Sequence, residues 1–207
     1  MRLSLLVLAV TLLSACPRQY VEVDAASEDA GYDPGLGNGF TGDVLQDDAR
    51  VMSINPATLR TGATQCRVPI LARVTRIVDG DTMHVSGVSE ALPDADIRFI
   101  GVNSPEIAHA AGEVTECFGN EATVFTNQLN GHLVWLTFDV DCLDPYDRLL
   151  AYVHIGAGEG DMWQRQLVRR GFAHAVDFRP NSTYASVLAA DMAIAETEGA
   201  GLWTACP

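Results

Sequence analysis

Asp79, Gly80 and Asp81 stand between two runs of alternating apolar residues, in the stretch IVDGDTMHV at 77–85. An Asp-Gly pair in this setting is typical of a two-residue hairpin turn, because glycine accepts the positive φ that the turn requires. Two neighbouring carboxylates also offer the oxygen ligands that a hard divalent cation prefers. The residues alone leave both alternatives open: a plain turn, or a turn that also carries a metal ligand.

Two arginines and a glutamate farther along the chain could bind an anion and accept a proton. Arg98 and Glu106 lie in IRFIGVNSPE at 97–106, and Arg148 lies in DPYDRLLAYV at 144–153. Taken one at a time, the arginines could be exposed strand residues and the glutamate an ordinary loop acid. Together, the three residues could act on an oxyanion, because a guanidinium can donate two parallel hydrogen bonds to it and a carboxylate can accept a proton from water.

The elements that must position these residues are predicted to form a small barrel with helices outside it. Alternation predicts strands in ILARVTRIV, DTMHVSGV, DADIRFIGV, HLVWLTFDV and RLLAYVHI. Helical spacing predicts helices that begin near CFGNEA and that cover DMWQRQLVRRGF and TYASVLAADMAIAETEG. This order is not an alternating βαβ pattern. We therefore predict an α+β fold, a five-stranded and partly open barrel with three packed helices.

Four fragments follow one another in an order and spacing that resemble the staphylococcal nuclease family. They are VDGDT at 78–82, IRFIGVNSPE at 97–106, DPYDRLLAYV at 144–153 and LVRRGFAHAVDFRPN at 167–181, together with CFGNEA and the closing GLWTAC. The resemblance covers nearly the whole predicted folded unit. It implies an OB-fold barrel and a calcium-dependent endonuclease that hydrolyses DNA with low sequence specificity, with RNA left open as a second substrate.

The resemblance also assigns the metal ligands by position. Asp81 matches the first ligating carboxylate of the family, and the backbone carbonyl of Thr82 is a further ligand. Asn103 falls where the family usually has a second ligating aspartate. The implied cofactor is Ca²⁺, and an asparagine amide can still offer it a carbonyl oxygen, although one formal negative charge is missing.

The catalytic roles are implied in the same way. Glu106 matches the glutamate that activates the attacking water, while Arg98 and Arg148 match the arginines that grip the phosphate. Such a hydrolysis needs a water in line, a base, and donors aimed at the oxygens where charge develops. Phe178 and Tyr146 are the implied nucleotide contacts. The family tyrosine near Phe178 is replaced here by valine, so we expect weaker base stacking.

The first sixteen residues, MRLSLLVLAVTLLSAC, indicate export. A basic start and an apolar run of secretory-signal length lead through small residues to Cys16. This ending resembles the lipobox of bacterial lipoproteins, and a soluble secreted protein is the alternative. We predict a signal peptide at 1–16, an acidic tether rich in Gly and Pro at 17–67, and the nuclease-like domain at 68–207. The predicted location is the envelope of a bacterial cell, with a membrane anchor at Cys16 and the outer membrane as the default.

The other four cysteines are predicted to form disulfides. An even number in an oxidising compartment favours disulfides, and the absence of a Cys-x-x-Cys pair argues against zinc. Among the pairings open to four cysteines, we predict Cys117 with Cys142, which would brace the loop leading to Arg148, and Cys66 with Cys206, which would join the domain ends. Three histidines have no partner pattern and are interpreted as structural or surface residues: His84, His109 and His132.

The charge of the chain opposes tight binding of a polyanion. The net charge is −14, every basic residue is arginine, and from residue 68 onward 8 arginines face 19 acidic residues. Non-specific binding of nucleic acid depends on neutralising phosphates, which such a domain does poorly. This acidity and Asn103 favour the alternative, a non-catalytic OB-fold binding module. Retention of Arg98, Glu106 and Arg148 favours the enzyme, a monomer with nucleic acid as substrate.

Overall fold

The fold is described from a computed structural model, which describes Phe40, residues 44–88 and residues 92–207. The predicted signal peptide, the predicted lipidation site at Cys16 and most of the first half of the predicted tether lie outside these residues. Each helix in the described ranges is too short or too polar to cross a bilayer.

Five strands close into a barrel. They are β1 (Ile70–Ile77), β2 (Thr82–Gly87), β3 (Ala95–Phe99), β5 (Leu133–Thr137) and β6 (Leu149–His154). Around the barrel the order is β1, β2, β3, β6, β5, and each neighbouring pair is antiparallel except β3 with β6. Two short strands, β4 (Val102–Asn103) and β7 (His174–Ala175), pair outside it. The prediction of a five-stranded α+β barrel is confirmed, and the barrel is closed rather than partly open.

The barrel interior is filled by alternate residues of each strand. Because successive side chains of a strand point to opposite faces, β1 buries Ile70, Ala72 and Val74 and exposes the residues between them or leaves them half-buried. Strand β6 is buried along its whole length, since a helix packs on its outer face. The largest fully buried side chains of this core include Met83, Ile97, Phe99, Leu136, Phe138 and Trp163.

Within the described residues, five α-helices surround the barrel, against three in the prediction. The predicted ones are α2 (Gly119–Thr126), α3 (Trp163–Arg169) and α4 (Ala185–Glu198). Stacked rings join α2 to its neighbours, with the Phe125 centroid 4.9 Å from that of Trp163 and 4.4 Å from that of Phe172. The two additional helices are short: α1 (Asp48–Ser53) and α5 (Leu202–Ala205).

The second half of the predicted tether differs from the expectation, because it packs on the barrel. Val51 in α1 is fully buried. The carboxylate of Asp48 accepts a hydrogen bond of 2.9 Å from the Leu133 N–H and pairs with Arg73 at 3.1 Å. Asp47 caps α1 by accepting from two backbone N–H groups of its first turn. Acidic residues that suggest a solvated linker in the sequence thus serve as a helix cap and as partners of the barrel.

The predicted disulfide pairing is wrong. The bonds join Cys66 to Cys142 and Cys117 to Cys206, across sequence separations of 76 and 89 residues. The segment before β1 runs beside the end of β5, where the Cys66 N–H donates to the Asp139 carbonyl at 2.7 Å, and this brings Cys66 to the loop that holds Cys142. The C-terminus returns to the start of α2, where Cys117 lies.

Candidate active site

The turn between β1 and β2 buries two carboxylates at one edge of the barrel. Asp79 is 6% exposed and Asp81 is 2% exposed. The Asp79 Oδ1 accepts a hydrogen bond of 2.9 Å from the Asp81 N–H, so the first aspartate braces the turn. Gly80 is needed here because a Cβ at this position would lie 2.6 Å from the side chain of Ser104. The turn between β1 and β2 therefore itself places the two carboxylates side by side.

Thr82 faces the site with its hydroxyl rather than with its backbone carbonyl. The carbonyl accepts hydrogen bonds from the N–H groups of Val78 at 3.0 Å and Asp79 at 3.3 Å, which close the turn. The hydroxyl donates to Asp81 Oδ1 at 3.1 Å and receives a long hydrogen bond of 3.5 Å from Arg148 Nη1. The carbonyl, which the sequence resemblance assigned to the metal, is used within the turn.

Arg98 is anchored on every side of its guanidinium. The residue is 8% exposed, and its Nε lies 3.2 Å from Asp81 Oδ1. Its Nη1 donates to the Phe99 carbonyl at 2.7 Å, and its Nη2 donates to Asn103 Oδ1 at 3.1 Å. The other oxygen of Asp81 accepts from the Ser104 N–H at 2.8 Å. Asp81, Arg98 and Asn103 thus form one connected group.

The carboxylates of the site lie in an environment that disfavours their charge. Burial raises the pKa of Asp81 to about 6, with a further contribution from Asp79, although Arg98 opposes the shift. The pKa of Glu106 is also raised, first by burial and then by the charge of Asp79. A cation bound here would stabilise the charged form of these carboxylates.

Glu106 is carried by the loop between β4 and α2. Its N–H donates to Glu116 Oε2 at 3.0 Å, and its carbonyl accepts from the Glu116 N–H at 2.9 Å. Helix α2 begins against this loop at Gly119, where a Cβ would lie 2.5 Å from the Glu106 carbonyl oxygen. The side chain is exposed and faces Asp79 and His109, and one ligand atom of each of the three lies within 4.8 Å of the others.

Arg148 is carried by the loop between β5 and β6. Its Nε donates to Asp144 Oδ2 at 2.6 Å, and the same carboxylate accepts from the Arg148 N–H at 2.9 Å. The ring of the exposed Tyr146 lies 5.6 Å from its Cζ. The side chain is 31% exposed, so its guanidinium is held in position but open to solvent.

Arg148 borders two adjoining pockets of about 350 Å³ each. One is lined by Asp79, Glu106 and His109, and the other by Arg98, Tyr146 and Phe178. The Phe178 ring lies 5.6 Å from the Cζ of Arg98. An anion held between the arginines would have a carboxylate on one side and aromatic rings on the other.

Most of the residues predicted to bind substrate or to act in catalysis line this groove: Arg98, Glu106, Tyr146, Arg148 and Phe178. Of the predicted metal ligands, Asp81 and Asn103 contact Arg98, and Thr82 lines the groove but uses its carbonyl within the turn. Asp144, Ser104 and His109 were missed as contributors. The spacing of Asp144 and Arg148, four residues apart with opposite charges, could have indicated the first. Ser104 contributes only its backbone N–H, which no residue type reveals, and His109 comes to the site through the course of a loop.

Comparison with known proteins agrees with this geometry. Residues 96–205 match the family model described as staphylococcal nuclease homologue. The thermonuclease of Staphylococcus hyicus is 35% identical over 113 residues, 54% of this chain and 63% of that protein. The thermonuclease of Staphylococcus intermedius is 30% identical over 131 residues, 63% of this chain and 74% of that protein. Endonuclease YncB of Bacillus subtilis (strain 168) is 30% identical over 132 residues, 62% of this chain and 59% of that protein.

The matches therefore cover between about six-tenths and three-quarters of the length of these relatives. The match to the family model includes the part of the groove between Arg98 and Phe178. That model spans more than half of the chain. On this evidence and on its barrel, the chain belongs to the staphylococcal nuclease family.

Proposed function

We propose that this chain is a calcium-dependent nuclease that hydrolyses phosphodiester bonds in DNA, with RNA as a further substrate. The observation that carries the proposal is the convergence of Arg98, Arg148 and Glu106 on one groove beside the buried carboxylate of Asp81. The names of the relatives, thermonuclease and endonuclease, support a hydrolase that acts on nucleic acid.

The residues of the groove fit a calcium ion by their chemistry. Calcium takes oxygen ligands in a flexible shell that water completes. Asp81 would hold it, with Asn103 supplying an amide oxygen that also accepts from Arg98. The raised pKa of Asp81, which burial causes, means that a neighbouring cation would stabilise this carboxylate. When bound, the ion would polarise a phosphate oxygen.

The chain's own residues supply the base and the charge donors. Glu106 would accept a proton from the attacking water, and its raised pKa makes it a stronger proton acceptor than an ordinary glutamate. Arg98 and Arg148 would donate hydrogen bonds to the phosphate oxygens on which negative charge develops. Asp144 holds the second of these arginines in its position.

We also propose that the protein is exported as a monomer and anchored by a lipid at Cys16 in the cell envelope. The supporting observations are the sequence of the first sixteen residues and the two disulfides, which persist in oxidising compartments. Mass spectrometry of the mature N-terminus tests the anchor. A lipid-modified cysteine is expected, and release of the protein from membranes is expected after Cys16→Ser.

The nuclease is tested by incubating the purified chain with plasmid and oligonucleotide, in calcium or in chelator. Glu106→Gln should lower turnover roughly 100-fold or more without changing thermal stability, because one positioned base is lost. Glu121→Gln, a similarly exposed glutamate in α2, is the matched control and should keep full activity. Binding of DNA without cleavage in calcium would instead identify a non-catalytic binding module.

A further inference from the structure

We propose that Asp79, Glu106 and His109 form a second divalent-cation site, which takes a zinc-class ion through the imidazole nitrogen and thereby inhibits hydrolysis. The inhibitory part of this inference rests on the proposed function, because Glu106 is the proposed base. The binding part depends only on the three side chains.

The spacing of the three side chains suits a small cation. One ligand atom of each lies within 4.8 Å of the other two, and His109 Nε2 is 3.9 Å from Asp79 Oδ2. Zinc bound tetrahedrally at about 2.0–2.1 Å keeps its ligand atoms about 3.4 Å apart. Small side-chain rotations would close that difference. Two carboxylates and one imidazole would leave a fourth position for water.

A second observation that points to a ligand is the state of the Asp79 carboxylate. The residue is 6% exposed, and its Oδ1 accepts from the Asp81 N–H. Among the described residues, the basic side chain paired with Oδ2 is His109, whose Nε2 lies 3.9 Å away and so beyond hydrogen-bonding distance. The charge of a carboxylate that is more than nine-tenths buried is costly, and a cation bound between Oδ2 and the imidazole would offset that cost.

The imidazole is accessible, and the backbone that carries it is fixed in place. The His109 side chain is 46% exposed and lines the same pocket as Asp79 and Glu106. Its backbone N–H donates to Glu113 Oε2 at 2.8 Å, and the Ala110 N–H donates to the same oxygen at 3.0 Å. These bonds hold the His109 backbone at the edge of the pocket that its ring lines.

The donor set separates this site from the proposed calcium position. Imidazole nitrogen suits zinc and related ions, whereas calcium prefers oxygen ligands alone. An ion bound to Glu106 would occupy the lone pairs that must accept the proton from water. Zinc at this site would therefore inhibit the enzyme while calcium remains bound beside Asp81.

Zinc binding is tested directly on the full chain with Cys16→Ser, which removes the one cysteine outside the two disulfides. Isothermal titration with Zn²⁺ and visible absorption with Co²⁺ are measured for this chain, for His109→Gln and for His132→Gln. His132 is the matched control, because its side chain is 40% exposed and contacts a single carboxylate, Asp48, at 3.2 Å. We expect one bound ion, with an affinity about tenfold or more lower in His109→Gln only.

Inhibition is tested by adding Zn²⁺ at saturating calcium and normalising each rate to that of the same variant in calcium alone. The zinc concentration for half-inhibition should rise about tenfold or more in His109→Gln and stay unchanged in His132→Gln. Equal zinc affinity in the two variants would overturn the site, and binding without inhibition would overturn the ligation of Glu106. If the chain cleaves nothing in calcium, the proposed function fails, whereas the zinc titration still decides whether His109 is a ligand.

Discussion

The groove has a barrel wall and a loop wall, which the protein holds in different ways. Asp79, Asp81 and Arg98 form the barrel wall, and all three are buried at the edge of the hydrophobic core. Glu106 and Arg148 form the loop wall, and both are more exposed. Burial fixes the groups that we propose hold a cation and a phosphate, whereas exposure leaves the proposed base, Glu106, and the second arginine, Arg148, open to water. The loop wall must therefore obtain its order from contacts other than core packing.

The two disulfides supply much of that order. One joins Cys117, which follows the loop of Glu106, to Cys206. The other joins Cys142, which precedes Arg148, to Cys66. Each bond thus connects one end of the loop wall to a distant segment.

The largest expected effect comes from breaking these bonds separately. Replacing either pair of cysteines by serine should lower the free energy of unfolding by about 4 kcal/mol, because long loops in the unfolded chain are released. We expect both variants to lower kcat, the Cys66/Cys142 variant through Arg148 and the Cys117/Cys206 variant through Glu106. Denaturant unfolding and steady-state kinetics measure both. Unchanged kinetics in both variants would show that other contacts hold the loop wall.

We expect acid to weaken the barrel through a buried histidine of β6. His154 in β6 is buried, its Nε2 lies 2.9 Å from Thr137 Oγ1, and burial lowers its pKa to about 4. The unfolded chain takes up this proton below about pH 6.5, whereas the folded protein does so only near pH 4, so the stability is present above pH 6.5 and is lost as the pH falls.

This difference in pKa corresponds to about 3 kcal/mol between neutral pH and pH 4. His154→Gln, which cannot take up the proton, should flatten the pH dependence of stability by that amount. Unfolding in chelator at both pH values measures it. A pH dependence equal to that of the natural protein would mean that another buried group titrates.

The two arginines allow a direct comparison of the walls. Arg98→Lys and Arg148→Lys should each reduce turnover roughly 100-fold, because a lysine cannot reproduce the two-pronged donation to phosphate. Only Arg98→Lys should also lower stability, since Arg98 holds Asp81, the Phe99 carbonyl and Asn103 at once. Thermal unfolding of the two variants beside their kinetics separates these effects. Equal stability losses would remove the distinction between the walls.

The barrel wall could be predicted from the sequence more completely than the loop wall. Alternating strands and the DGDT turn fix where Asp81 and Arg98 lie, because strand register depends on local pattern. The position of His109 depends instead on how a loop crosses the mouth of the pocket. Local pattern contains no information about that course, so this histidine was interpreted as a surface or structural residue.

The pairing of the cysteines was predicted wrongly for a similar reason. Pairing depends on which segments meet in space, and the approach of Cys66 to Cys142 is set by a segment that was predicted to be a tether. That segment has little apolar periodicity, yet three of its residues, Val44, Val51 and Leu59, are buried against the rest of the fold. Isolated apolar residues in an acidic stretch do not reveal such packing.

Asn103→Asp should have the smallest effect, and it tests whether residue 103 is a calcium ligand as well as a partner of Arg98. The Oδ1 of Asn103 accepts a hydrogen bond of 3.1 Å from Arg98 Nη2. An aspartate at this position would keep that hydrogen bond and add one negative charge. Calcium affinity rises with the charge of the ligands, so we expect half-maximal activity at about tenfold less calcium. Calcium titrations at fixed substrate and ionic strength measure this, with the exposed Asn130→Asp as a control for net charge. If the calcium requirement is unchanged or higher, residue 103 serves Arg98 alone, and Asp81 with water and substrate holds the ion.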